Sequence, residues 1–160
     1  MDADRIELMR GMPVFGGLGE SALEWILEHA PERSVSAGDY FFKAGEPAES
    51  LFVLESGRAA VFLERVKGPC QLAVLGPGDC FGEMALIDFG PRSASVRALE
   101  DCLALEIPQG QIHALYQRDL KQFTLVQMNL ARELSRRLRR ADALAQENRG
   151  DLPPDHRYST

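Results

Sequence analysis

The sequence has little of what metal sites, disulfide frameworks and membrane spans require. Its 160 residues include three cysteines and three histidines, which stand far apart, and no HExxH, CxxC or GxSxG motif. No stretch approaches the roughly 20 consecutive apolar residues that cross a bilayer, and the charged segment 1–10 lacks the apolar core of a signal peptide. We therefore expect a cytoplasmic protein that is not an enzyme, holds no metal cofactor and contacts no membrane. Cys70, Cys80 and Cys102 are expected as small apolar residues in or near strands.

The charge of the chain is moderate and unevenly distributed. The hydrophobic fraction of 45% and the charged fraction of 26% are typical of a globular domain, and a net charge of −6 argues against extensive binding of nucleic acid. One predicted helix nevertheless concentrates arginines, at positions 132, 136, 137, 139 and 140. This run is either a contact surface for an acidic partner or a solvent-exposed helix face.

Glycine spacing divides the chain into helical ends and a β-rich middle. Between residues 33 and 107, glycines recur and separate short apolar runs, with no helix between them. This pattern predicts an antiparallel jelly roll, also called a β-roll or double-stranded β-helix. The predicted strands cover residues 40–42, 51–54, 59–63, 72–75, 93–99 and 102–107. The fold class is therefore mainly β with flanking helices, and the predicted parts are N-terminal helices in 1–32, the roll in 33–107 and C-terminal helices in 108–148.

One of the C-terminal helices is predicted to be long. Residues 111–116 form a short helix, and Asp119 is a suitable N-cap for the second one. Apolar residues then recur at helical spacing, at 123, 126, 130, 134, 138, 141 and 145. Such a stripe is buried either on the roll or against a second copy of itself. Gly150 and the following prolines end the helix, and residues 149–160 are expected to be disordered.

One segment contains groups that can bind an anion, and it also contains a carboxylate side chain. Residues 81–96 read FGEMALIDFGPRSASV. Gly82 lets the backbone approach a ligand closely, and the helical turn after it offers unpaired N–H groups. Farther along, Arg92 can donate two hydrogen bonds to a phosphate. Glu83 would repel a phosphate unless it faces another group, so the expected ligand carries both an anion and a sugar hydroxyl.

The segment resembles the phosphate-binding cassette of the cyclic nucleotide-binding domain family. The family pattern is roughly F-G-E-[LM]-A-L, a variable loop, and R-[STA]-A-[ST]-V, and residues 81–96 match it almost completely. Turn glycines of the family are matched in the same order at 37–39, 43–46, 51–58 and 76–79. The resemblance extends over about residues 1–148 and implies a β-roll sensor domain similar to that of the bacterial catabolite regulators.

The resemblance implies a role for each charged or small residue of the cassette. Glu83, helped by the Gly82 amide, would bind the ribose 2′-hydroxyl, and Arg92 would neutralise the cyclic phosphate. Ser93 and Ala94 would donate hydrogen bonds to the phosphate oxygens. The residues also have ordinary interpretations, since Glu83 can favour a helix start and Arg92 can be a surface residue after a Gly-Pro turn.

Further roles follow from the same resemblance. Met84 and Ala85 would close the cassette through backbone contacts, and Val74 and Leu75 would line the purine side of the binding site. Asp142, near the end of the apolar stripe, is a candidate for the purine edge, where a carboxylate can accept from adenine or from guanine. The implied ligand is therefore cAMP or cGMP, and cAMP is preferred because it is the usual ligand in the bacterial branch.

The resemblance also implies an output through the long C-terminal helix. In the family this helix covers the base when nucleotide binds, and its stripe suits a homodimer. Catabolite regulators continue into a winged helix-turn-helix, whereas this sequence ends first, so we expect no direct DNA-binding domain, and an effector protein could be the partner. Two alternatives remain open: a ligand-free structural or dimerisation module on the same fold, and the sensor half of a transcription regulator. A metal-dependent enzyme on a small barrel is disfavoured because His29, His113 and His156 lie outside the predicted strands.

Overall fold

Helices flank the β-rich middle of the chain. The computed structural model describes residues 3–87 and 90–149. The α-helices in these ranges are α1 Ala3–Arg10, α2 Glu20–Glu28, α3 Gln109–Arg118 and α4 Leu120–Arg149. Short 3₁₀ helices cover Pro13–Phe15 and Glu83–Leu86. Oδ1 of Asp119 accepts a hydrogen bond from the backbone N–H of Gln122 at 3.2 Å, so the predicted N-cap of α4 is confirmed.

The strands form two antiparallel sheets. Their bounds are β1 Glu32–Val35, β2 Tyr40–Phe42, β3 Ser50–Ser56, β4 Ala59–Leu63, β5 Cys70–Leu75, β6 Cys80–Phe81, β7 Ser95–Ala98 and β8 Cys102–Pro108. One four-stranded sheet has the order β1-β8-β3-β6, and the other has the order β2-β7-β4-β5. All of these pairings are antiparallel. The predicted fold, a β-roll with flanking helices, is confirmed, and each of the three cysteines lies in a strand as expected.

Two hydrophobic cores lie on opposite faces of the β3–β8 pair. Along β3, Leu51 and Val53 point to one face, and Phe52 and Leu54 point to the other. The first face packs against the helices, whereas the second lies inside the roll. The inner core is built around four phenylalanines, whose ring centroids lie 5.0–6.1 Å apart: Phe41, Phe42, Phe52 and Phe81. Along β8, Leu105 and Ile107 belong to the helix-facing core, and Cys102 and Ala104 belong to the inner core, so the alternation of this strand separates two cores.

The first half of α4 is packed and the second half is exposed. Val126 and Leu130 are buried in the helix-facing core, and Leu134 packs against it. The described side chains from position 135 to position 147 are all exposed, including Leu138 and Ala141 of the predicted stripe. None of the helices in the described ranges combines the length and the apolarity that crossing a membrane requires.

The structure adds two strands that the sequence analysis does not predict. β6 has two residues, which is too short to show an alternation, and β1 contributes one buried residue, Val35. The predicted division of the chain into parts stays a prediction, although β1 begins at Glu32 and β8 ends at Pro108. Of the tail predicted to be disordered, Arg149 is the last residue of α4, and 150–160 lie outside the described residues.

Candidate ligand-binding site

The second residue of the cassette is a glycine at which a side chain has no room. β6 ends at Phe81, and Gly82 has a left-handed backbone with φ +78° before the 3₁₀ helix Glu83–Leu86. A Cβ atom at Gly82 would lie 2.6 Å from Nη1 of Arg92. The backbone conformation and the close approach of the guanidinium both favour glycine at this position.

Two backbone carbonyls and an aromatic ring contact the guanidinium of Arg92. The residue is 8% exposed. Its Nη2 donates to the carbonyl oxygen of Ser50 at 2.7 Å, and its Nη1 donates to the carbonyl oxygen of Gly82 at 3.2 Å. The guanidinium carbon lies 3.9 Å from the centroid of the Phe42 ring. Nε has no hydrogen-bond partner among the described residues, so one buried donor is available to a ligand.

The charges of two carboxylates partly compensate for the burial of Arg92. Desolvation lowers the pKa of the Arg92 guanidinium, and the charges of Glu106 and Glu46 act in the opposite direction. Glu106 accepts a hydrogen bond from Oγ of Ser50 at 2.7 Å and lies 3.6 Å from Nη1 of Arg33. Because a guanidinium stays protonated at neutral pH, the site keeps a cation in a fixed position.

Glu83 is almost fully buried and pairs with α4. It is 1% exposed, and its Oε1 forms an ion pair with Nη1 of Arg137. This contact lacks hydrogen-bond geometry, and neither carboxylate oxygen of Glu83 has a hydrogen-bond partner among the described residues. An ionised carboxylate offers about four lone-pair sites, so Glu83 can still accept a hydrogen bond from a hydroxyl group.

Arg137 belongs to a row of charges on α4. Oε1 of Glu133 lies 3.7 Å from Nε of Arg137 and 3.7 Å from Nη2 of Arg140, and Oε2 lies 3.3 Å from Nη1 of Arg136. Burial lowers the pKa of the Arg137 guanidinium. Burial also raises the pKa of the neighbouring Cys80 thiol to about 12, against the opposing effect of Arg137. The ion pair between Arg137 and Glu83, together with the shared cavity lining, places this part of α4 next to the cassette.

The cavity that these residues share has a volume of about 610 Å³. Its α4 side is formed by Glu133, Arg137 and Arg140, and the opposite side by the roll. The cavity brings together eight of the residues predicted for the site: Val74, Leu75, Gly82, Glu83, Met84, Arg92, Ser93 and Ala94. Ala85 belongs to the cassette 3₁₀ helix. Asp142 is exposed on α4 and is not part of the cavity lining, so its contact with a base stays a prediction.

The α4 side of the site and the ring beneath Arg92 are not predicted from the sequence. Positions 133, 137 and 140 have the helical spacing that places them on one face, which is a signal that could have been used. Phe42 is predicted as a strand residue, and no local pattern indicates that its ring lies under a guanidinium. Within residues 3–87 and 90–149, no group of three or more His, Cys, Asp or Glu side chains is arranged to hold a metal ion.

Comparison with known proteins identifies the family. The model of the cyclic nucleotide-binding domain matches residues 32–119, which is more than half of the chain. The chain belongs to the cyclic nucleotide-binding domain family. The cyclic AMP receptor protein of Thermus thermophilus is 38% identical to this chain over 135 residues, which cover 84% of this chain and 61% of that protein.

Solved structures of the cyclic nucleotide-binding domain resemble this one. The crystal structure of the Thermus thermophilus catabolite activator protein superposes with a TM-score of 0.74 at 37% identity, over 84% of this chain and 62% of that one. The regulatory domain of Toxoplasma gondii PKA in complex with cAMP superposes with a TM-score of 0.67 at 25% identity, over 71% of this chain and 45% of that one. The chain thus spans less than two thirds of each of these relatives. It is a cyclic nucleotide-binding regulatory domain similar to those of transcription regulators of the catabolite-activator type.

Proposed function

We propose that this domain binds cAMP in the cavity between the roll and α4, and that α4 transmits the signal. The observation that carries the proposal is that two buried polar atoms lining one cavity, Nε of Arg92 and Oε2 of Glu83, have no hydrogen-bond partner among the described residues. Because buried polar groups in proteins are nearly always hydrogen-bonded, these two groups suit a ligand with complementary atoms. A ribose 3′,5′-cyclic phosphate offers an anion and a free 2′-hydroxyl, which match them.

The cyclic phosphate is assigned to Arg92. Two carbonyl acceptors and the Phe42 ring already position the guanidinium, so it loses little conformational freedom on binding. Ser93 and Ala94 lie on the same cavity wall and can add N–H donors. Charge-assisted hydrogen bonds contribute roughly 1.5–3 kcal/mol each. Two or three of them, together with burial of the base, reach about −8 kcal/mol, which corresponds to a micromolar Kd.

The ribose 2′-hydroxyl is assigned to Glu83. Arg137 contacts Oε1, so Oε2 is the oxygen available to accept from the hydroxyl. Arg137 also neutralises a carboxylate that would otherwise repel the nearby phosphate. Arg137 and the nucleotide therefore stabilise each other through Glu83 and do not compete for it.

The purine base is assigned to the apolar wall formed by β4 and β5. Val61, Leu72 and Val74 line the cavity, and the last two are about half exposed, so a purine packed there removes apolar surface from water. The choice of cAMP is supported by a cyclic AMP receptor protein among the relatives and by cAMP in the similar solved structure. cGMP has the same sugar and phosphate and is the alternative ligand.

α4 is the proposed output element. Glu133, Arg137 and Arg140 contact the cavity only when α4 lies over it, so a nucleotide in the cavity favours that position of the helix. The uncovered apolar residues Leu138 and Ala141 suit the same residues of a second copy, and we propose a homodimer through α4. An effector protein or a linked domain then responds to the position of the helix.

We propose that the domain acts in the cytoplasm as a sensor and that it is not itself an enzyme. The relatives described above are a receptor, an activator protein and a kinase regulatory domain, which supports this role. The polar groups around the cavity also suit the recognition of an anion and a hydroxyl.

Calorimetric titration with cAMP and with cGMP tests the proposal. We expect micromolar binding by the wild type, and a Kd about 10- to 100-fold higher for Arg92→Ala and for Glu83→Ala, because each removes a charge-assisted contact. Arg97→Ala is the matched control, because Arg97 lies near the Phe62 ring and outside the cavity lining. Circular dichroism checks that each variant is folded. Absence of heat at millimolar nucleotide, or unchanged affinity of Arg92→Ala, would contradict the proposal and favour the ligand-free module.

A further inference from the structure

Asn129 is a buried polar residue on α4 that lies outside the cavity. It is 6% exposed, and its Nδ2 donates to the carbonyl oxygens of Val14 at 3.2 Å and Gly16 at 2.8 Å. Its Oδ1 accepts from Nη1 of Arg132 at 3.1 Å. The amide therefore joins α4 to the carbonyls of the turn around the N-terminal 3₁₀ helix Pro13–Phe15.

The two elements that Asn129 joins both border the cavity. Pro13 and Val14 line it from the N-terminal turn, and Glu133 and Arg137 line it from α4. Glu133 and Arg137 stand four and eight residues after Asn129, so all three lie on one face of the helix. A hydrogen bond made at Asn129 therefore faces the same side as the ion pair between Arg137 and Glu83.

Elsewhere on α4, Oε1 of Gln122 accepts a hydrogen bond from the backbone N–H of Gly19 at 2.8 Å, but Gln122 lies fifteen residues before Arg137, whereas Asn129 lies eight residues before it. Val126 and Leu130 pack against the core through apolar surface, which is non-directional and tolerates small rotations and shifts of the helix. Beyond Leu134 the side chains of α4 are exposed as far as position 147. The direction in which Arg137 points is thus set by contacts made earlier along the helix.

We propose that Asn129 is a positioning residue, which fixes the rotation and axial position of α4 so that Arg137 reaches Glu83. Its two bonds to carbonyls at defined points of the turn determine one orientation of the helix. The consequence for nucleotide affinity rests on the function proposed above, whereas the effect on the position of α4 does not.

The position of α4 can be measured without nucleotide by the alkylation of Cys80. This thiol lines the cavity beneath α4 and is close enough to Arg137 and Glu133 for their charges to affect its pKa. Cys102, 5% exposed in the inner core, serves as an internal reference for global opening. In Asn129→Ala we expect iodoacetamide to modify Cys80 roughly tenfold faster, since about two hydrogen bonds are lost, while the rate at Cys102 stays unchanged.

The matched control is Thr124→Ala. Thr124 is on the same helix and exposed, and its Oγ1 donates to the carbonyl oxygen of Leu120 at 2.8 Å within the helix. We expect wild-type alkylation rates for this variant. A wild-type rate at Cys80 in Asn129→Ala, or equal acceleration at Cys80 and Cys102, would overturn the proposal, because Asn129 would then have no effect on α4 or only a general effect on stability.

A double-mutant cycle on cAMP affinity tests the route through Arg137. We expect Asn129→Ala and Arg137→Ala each to raise the Kd about tenfold, and the double variant to bind like Arg137→Ala alone. Independent effects that multiply to about 100-fold would show that Asn129 acts by another route and would overturn the proposal. If the wild type binds no nucleotide, the proposed function fails, and the alkylation of Cys80 still decides the role of Asn129.

Discussion

Replacing Gly82 by alanine adds a Cβ atom at a point of the site that has no room for it. The added Cβ would stand 2.6 Å from Nη1 of Arg92, at a residue whose φ is +78°. The contact has to lengthen to about 3.4 Å, so the guanidinium must move by roughly 0.8 Å. A shift of that size away from Gly82 disturbs the 2.7 Å bond to the Ser50 carbonyl and the position over the Phe42 ring.

Two effects of different size follow from this geometry. The left-handed backbone costs a residue with a Cβ about 1–2 kcal/mol, so Gly82→Ala should remain folded with a modest loss of stability. The displaced guanidinium no longer meets the phosphate in the geometry proposed above, and a lost charge-assisted hydrogen bond amounts to roughly 1.5–3 kcal/mol. We therefore expect the Kd for cAMP to rise about 10- to 100-fold.

Gly38→Ala separates the two effects. Gly38 has φ +90°, and a Cβ at this position meets nothing within 4 Å. It should show a similar loss of stability in urea unfolding and wild-type affinity in calorimetry. Wild-type affinity in folded Gly82→Ala, or an equal loss of affinity in Gly38→Ala, would refute the argument from the approach of Arg92.

Three further predictions concern stability and assembly. Phe52→Ala, in the middle of the aromatic core, should lower the free energy of unfolding by about 3–5 kcal/mol in urea titration. The pKa of Cys80 is raised to about 12 in the folded state, so above pH 9 the thiol loses its proton in the unfolded state but keeps it in the folded state. The free energy of unfolding of the wild type should therefore fall by about 1.4 kcal/mol per pH unit more than that of Cys80→Ala between pH 9 and 11, and parallel pH profiles would contradict this. Leu138→Glu should convert the proposed dimer to a folded monomer in sedimentation, and a monomeric wild type would contradict the proposed dimer.

The sequence predicts the residues of the site that lie in one continuous segment. Gly82, Glu83 and Arg92 stand close together in the chain, and their residue types carry the chemistry, so the pattern is visible without a structure. The roll itself is predictable for a similar reason, since turn glycines and short apolar runs are local signals. Local signals fail at β6, where two residues are too few to show a period.

The remaining part of the site depends on contacts between distant segments. Arg137 appears in the sequence as one of several arginines on a helix, and the contacts of α4 with the core and with the N-terminal turn select which arginine reaches Glu83. The unsatisfied Nε of Arg92 is equally invisible in the sequence, because it depends on which carbonyls the other two nitrogens reach. Tertiary packing decides both.

The order of charges across the cavity explains how a carboxylate can stand beside the proposed phosphate site. With a cyclic phosphate at Arg92, the proposed order across the cavity is cation, anion, anion and cation: Arg92, the phosphate, Glu83 and Arg137. Without Arg137, two anions would share one cation in a buried setting, and an unpaired buried charge is strongly unfavourable. The second cation comes from α4, so the domain reaches electrostatic balance only with the helix in place. In the proposed complex, binding of the anion and the position of α4 are therefore coupled by charge.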